Sequence, residues 1–250
     1  MITIFMAISF ALKFLIRTPY QASQKKEIEK KNSFLKEFKE GLDIIKKDSF
    51  IRLFVVIAPL INFGFSVVFQ VLMTYLLLEV YQVNEVVYGS YRSITMVVVL
   101  LVPIVILPFY KNIRKDKLLK RGLMGVGISL LLLAMTIYFG NNVKQDEKLP
   151  IVYIITLLDC IAIACVIPIN ISVQTFLQKT IPDAYRGRVL SVLRMLALSA
   201  TPLGNMVFGI LAEYLPVEIC VFIASLWVTA VAVFTTVKLS SLKFAKENVI

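Results

Sequence analysis

One carboxylate stands alone in apolar sequence. Asp159 lies in the run Pro150–Phe176, and the nearest charged residues along the chain are Lys148 and Lys179. A carboxylate at the centre of a membrane helix costs about 2.5–3.5 kcal/mol on insertion scales, so it must face a cavity or a partner. Such a group can carry protons or recognise a cationic compound. It can also be purely structural, neutralised by a neighbour. Arg92, in the run Val87–Tyr110, is the obvious partner. An Arg92–Asp159 pair would hold the carboxylate ionised and remove it from proton traffic.

Uncharged polar side chains form the second group. Asn62, Gln70, Asn170, Gln174 and Asn205 are scattered through apolar runs. They can line a path for a substrate, or join helices by hydrogen bonds typically worth about 0.6 kcal/mol each.

The third group is the charged turn Gln178–Val189 between two long apolar runs. Pro182 has no amide hydrogen and disfavours helical geometry before it, so a helix stops there. Asp183 can cap the next helix, and Gly187 supplies backbone freedom between Arg186 and Arg188. Arginines at the inner end of a helix can pair with helix C-termini and carboxylates in one tilt state and release them in another, forming a gate. The plain alternative is charge that only sets topology. Arg194 lies about one turn deeper and can snorkel to the interface. Pro202 and Gly204 mark the place for a kink.

Other chemistries find no support. The chain has no histidine, and Cys160, Cys165 and Cys220 lie inside apolar runs without paired spacing, so no metal site or disulfide framework is expected. Gly122, Gly125 and Gly127 cluster inside an apolar run with no strand before them, which suits close helix packing better than a dinucleotide. No nucleophile–base pair is present, so neither an enzyme nor a cofactor is expected.

The elements that must carry these residues are membrane helices. Hydrophobic residues make up 58% of the 250, and mean hydropathy is +0.82. Runs such as Val97–Phe109, Ile128–Tyr138 and Val217–Val237 show no polar face, and a chain this short cannot enclose so many all-apolar helices in protein. The net charge of +11 is segregated. Lys and Arg crowd Arg17–Arg52, Lys111–Arg121 and Lys179–Arg188, with Lys238, Lys243 and Lys246 in the tail, whereas the alternate connections are acidic or balanced. That alternation is the positive-inside pattern, and it places the C-terminus in the cytoplasm of a multi-pass cell-membrane protein. No soluble basic face with readout elements exists, which argues against nucleic acid.

In order, the chain reads as the end of a preceding transmembrane helix over 1–17 and a cytoplasmic linker with an amphipathic helix over 18–49. A bundle follows over 50–237, with spans near 50–78, 87–110, 122–139, 150–176, 190–212 and 217–237, and a cytoplasmic tail at 238–250. In Ser33–Lys47, apolar residues recur at helical spacing among charged ones, which fits a helix lying in the lipid interface.

With these residues in view, the chain resembles the C-terminal half of a major facilitator superfamily transporter, of the bacterial drug-efflux type that includes macrolide efflux permeases and siderophore exporters. Phe38-x-x-Gly41-Leu42 ahead of Ile51-Arg52, and Tyr88-Gly89 opening the second full span, carry part of the likeness. The most specific part is Pro182-Asp183-x-Tyr185-Arg186-Gly187-Arg188-Val189, followed by Pro202-Leu203-Gly204 and Phe208-Gly209. A vestige of the family's loop motif survives at Asn112-Ile113-Arg114-Lys115-Asp116-Lys117. The resemblance implies an all-α six-helix bundle of inverted three-helix repeats, with a site at mid-membrane. It implies outward movement of a small amphipathic molecule by alternating access, with proton coupling as the expected drive. The expected partners are the bilayer, the substrate, protons, and a missing N-terminal six-helix half or a second copy. The alternative is a truncated or degenerate membrane subunit that does not transport alone.

Overall fold

The computed structural model describes residues 41–46, 48–106, 115–141, 143 and 148–241. The chain divides into two compact units, Met1–Glu37 and Phe38–Ile250, and every described residue belongs to the second. The expected helix end over 1–17, the linker up to residue 40, most of the basic loop before Lys115, and the tail beyond Ser241 lie outside the described residues.

Among the described residues no strand occurs, and six helices are long and apolar enough to cross a membrane. They are α1 (Ser49–Val80), α2 (Glu85–Leu101, continued by a π-helical segment Val102–Ile106), α3 (Lys115–Gly140), α4 (Lys148–Thr180), α5 (Asp183–Tyr214) and α6 (Val217–Ser241). The all-α bundle expected from the sequence is therefore what forms. The helices overrun the apolar runs at their ends. Hydropathy marks what lies in hydrocarbon, whereas backbone hydrogen bonding continues through charged flanks that lie in the headgroups or beyond. Thus α5 starts at Asp183 and not at Leu190, and α3 at Lys115 and not at Gly122.

Among the described residues, two helix starts carry side-chain caps. Asp48 accepts hydrogen bonds from the amides of Phe50 (2.7 Å) and Ile51 (3.0 Å), and Asn84 accepts one from Val87 (2.8 Å). The α1–α2 turn is tight, with Gln82 in the left-handed region at φ 49°. α1 is irregular in its second half, where π-helical turns occupy Val68–Leu72 and Leu76–Val80. The π turn in α2 contains Pro103, whose missing amide hydrogen breaks the regular ladder.

The principal packed pairs are α3 with α4, α3 with α6, α1 with α5, α1 with α6, and α2 with α4. This set maps onto itself when α1, α2 and α3 are exchanged for α4, α5 and α6, the relation expected of two three-helix repeats. Close approach depends on two glycines. A Cβ on Gly204 of α5 would run into the Phe63 carbonyl oxygen of α1 and lie 2.9 Å from Val67 Cγ2. One on Gly64 of α1 would lie 2.8 Å from Val228 Cγ2 and 2.9 Å from Trp227 Cδ1 of α6. Small residues at such crossings let backbones meet, which is how helices associate in lipid.

Contacts at the two ends of the bundle fix the alternation of direction. At one end Lys120 of α3 donates to Ser240 Oγ of α6 at 2.8 Å. At the other, Asn141 donates to Glu218 at 3.0 Å, and Lys148 lies 5.0 Å over the Tyr81 ring. The first end also holds a small apolar cluster of Ile45, Ile51, Leu177, Ile181, Val189 and Val192. Residues 41–46 are helical, with Ile45 in the cluster and Leu42 and Ile44 packed against it, and a Cβ on Gly41 would lie 3.4 Å from the Arg188 carbonyl oxygen. On these residues the apolar face expected to lie in lipid meets protein instead.

Candidate functional site

α2 is the barest of the spans, and within Glu85–Leu101 it buries Tyr91 and Thr95. Those two residues are four apart, so they share the face that meets α4. On α4, Val152, Ile155, Thr156, Asp159 and Ala162 form the matching buried stripe. The two stripes bring Tyr91 and Asp159 together. The Tyr91 hydroxyl donates to Asp159 Oδ2, and Asp159 is 0% exposed. Its second oxygen, Oδ1, is buried and has no hydrogen-bond partner among the described residues.

Arg92 makes no direct ion pair with Asp159 among the described residues, although its charge acts on that carboxyl. Its Nη1 donates to the Phe69 carbonyl at 3.3 Å, inside the first π turn of α1. The physical reason is angular: neighbouring residues on a helix point about 100° apart, so only one of Tyr91 and Arg92 can face α4. The adjoining Thr95 hydroxyl donates to the Arg92 carbonyl at 2.9 Å, and Thr156 donates to the Val152 carbonyl at 2.7 Å. Both threonines are thereby engaged with backbone. The polar band extends to α1, where Thr74 Oγ1 and the Tyr88 hydroxyl are 3.1 Å apart, and the Tyr88 and Tyr91 rings lie 6.2 Å apart.

Tyr91 is the residue that sequence reasoning missed, because a tyrosine in an apolar run reads as packing. A signal was present. Tyr88, Tyr91 and Thr95 stand at i, i+3 and i+7, a stripe of hydroxyls down one face of an otherwise apolar helix.

A cavity of about 170 Å³ opens between α1 and α4, one wall carrying Phe54, Ile57, Asn62 and Phe65 and the other Val166 and Asn170. Leu123 of α3 and Thr235 of α6 also line it, and among the described residues no charged side chain does. Asn62 and Asn170 are thus brought together. Asp159 is not in this lining, and neither are Arg92, Gln70, Gln174 and Asn205. Asn205 donates to Gln70 Oε1 at 3.3 Å, tying α5 to α1, and Gln174 is exposed.

The charged turn is shorter than the sequence suggested. Asp183 is the first residue of α5, Pro182 precedes it as the cap without a side-chain hydrogen bond, and Asp183 makes an ion pair with Arg186 within the first turn. Arg186 also reaches back to the Ile181 carbonyl at 3.5 Å. Gly187 is helical and a Cβ there would meet nothing within 4 Å, so its backbone freedom is not used. Pro202 and Gly204 lie inside a continuous α5, where Gly204 serves close approach to α1. No group of His, Cys, Asp or Glu suited to a metal ion occurs among the described residues.

The family model for the Major Facilitator Superfamily matches residues 1–205, well over half of the chain. No curated protein and no solved structure matches it.

Proposed function

We propose that this chain, which belongs to the Major Facilitator Superfamily and hence to a family of membrane transporters, exports a small amphipathic molecule of the drug, macrolide or siderophore kind by alternating access. The cavity between α1 and α4 carries this reading. Its apolar and aromatic walls suit the apolar body of such a molecule, and the Asn62 and Asn170 carboxamides suit its polar groups. A second six-helix bundle, either an N-terminal half or another copy, completes the path. The apolar residues that α2 and α5 leave exposed, Leu100 and Ile104 or Leu198 and Met206, give that bundle a surface to meet.

Proton entry drives export through Asp159, a fully buried carboxyl with one oxygen unsatisfied. The basic helix ends face the cytoplasm, and Arg186 and Arg188 with Asp183 act at that end as a gate whose partners change with tilt.

Drug accumulation in cells tests the reading. The chain expressed with its complementary half should lower accumulation of an amphipathic compound, and Asp159→Asn should abolish the effect. Equal accumulation with and without the pair of halves would refute it.

A further inference from the structure

We propose that Tyr91 and Asp159 form one proton-binding unit, in which Tyr91 is the positioning residue and Asp159 Oδ1 is the atom that takes the proton. This rests on Asp159 as the coupling group, and it adds a second residue, a specific atom and a specific helix pair.

The geometry leaves few alternatives. A carboxylate offers about four lone-pair sites, and among the described residues a single donor, the Tyr91 hydroxyl, occupies one of them. The other hydroxyls on the facing stripes, Thr95 and Thr156, are bound to backbone carbonyls. Arg92 donates to the Phe69 carbonyl. The charged and titratable groups around Asp159 are therefore Tyr88, Tyr91 and Arg92 on α2 and Cys160 on its own helix, while α3 presents no charged residue between Gly122 and Gly140. With Oδ2 accepting from the phenol, the oxygen open to a proton is Oδ1, which is buried without a partner.

The arrangement ties proton occupancy to helix packing. The phenol belongs to α2 and the carboxyl to α4. A hydrogen bond to an ionised acceptor is about twice as strong as one between neutral groups, so the grip of α2 on α4 tightens when the proton leaves Oδ1 and slackens when it binds. α2 otherwise buries Thr95 and Val102 and reaches α1 through Tyr88 and Arg92, so this grip is one of a few contacts that hold it.

Infrared spectroscopy of the full chain in lipid vesicles, titrated with pH, tests the unit without requiring transport. Wild type should show a carboxyl C=O band that appears and disappears with pH and is lost in Asp159→Asn. In Tyr91→Phe the band should persist at higher frequency, with a midpoint displaced by about tenfold or more in proton concentration. Tyr88→Phe should leave frequency and midpoint unchanged. If Tyr91→Phe does not fold, wild type carrying isotope-labelled tyrosine gives the same decision. A phenol C–O band should then move in step with the carboxyl band. An unshifted band in Tyr91→Phe, or a phenol band indifferent to the carboxyl's titration, would overturn the proposal. Export that keeps its pH dependence in Asp159→Asn would instead overturn the coupling role of Asp159, while the infrared result still decides the role of Tyr91.

Discussion

A double-mutant cycle separates the two neighbours of Asp159. Combining Tyr91→Phe with Asp159→Asn should give a loss of stability well short of the sum of the singles, with a coupling of about 0.5–3 kcal/mol typical of groups in contact. Arg92→Gln with Asp159→Asn should show the smaller coupling, because the guanidinium is bound to the Phe69 carbonyl. Thermal melting in detergent would measure both. Asp159 was visible in the sequence because a lone carboxylate among apolar residues is conspicuous; its partner was not, because the choice between Tyr91 and Arg92 is one helical step of rotation. Outside the spans, Tyr81 gives a pH prediction. Burial, aided by the negative charge of Glu218, pushes its phenol from 10.0 up to about 12. Between those values the folded chain holds a proton that the unfolded chain has lost, so this contribution to stability is present below pH 10 and falls away as pH rises towards about 12. Tyrosinate absorbance should show the late titration, and Glu218→Gln should bring it to lower pH.

At the scale of elements, glycines and caps decide how well the helices fit. Gly204→Ala should lower the melting temperature, because the new Cβ meets the Phe63 carbonyl oxygen, which is backbone and cannot swing aside. Overpacking of this kind costs about 1–3 kcal/mol. Gly209→Ala, on the same helix with nothing within 4 Å of its Cβ, should be neutral or stabilising. Asp48→Ala removes an acceptor bonded to two amides at the start of α1 and should cost about 1 kcal/mol, read from the same melts. The existence of all six spans could be read from hydropathy alone, since each is a long apolar run with at most one charged residue. Their ends could not, because charged residues neither stop a helix nor mark where it leaves the membrane. The π turns of α1 left no trace in the sequence either, apart from the presence of polar Gln70 within the first.

At the scale of the whole molecule, orientation is the prediction that matters most. With Cys160, Cys165 and Cys220 replaced, a single cysteine at Val143 should react with an impermeant reagent applied to intact cells, and one at Lys179 should not. The reverse pattern would place the basic ends outside. The amino-acid sequence by itself determined that the chain is a multi-spanning helical bundle with segregated charge, because twenty or so consecutive apolar residues leave the backbone no other way to satisfy its hydrogen bonds in lipid. It also determined which polar groups are expensive enough to matter. Only the tertiary structure decided which of them meet: Asp159 with Tyr91, Asn62 with Asn170 across a cavity, and Gln70 with Asn205. Those pairings depend on helix rotation and crossing, which are set by how side chains on different helices interlock and not by any signal local to one helix.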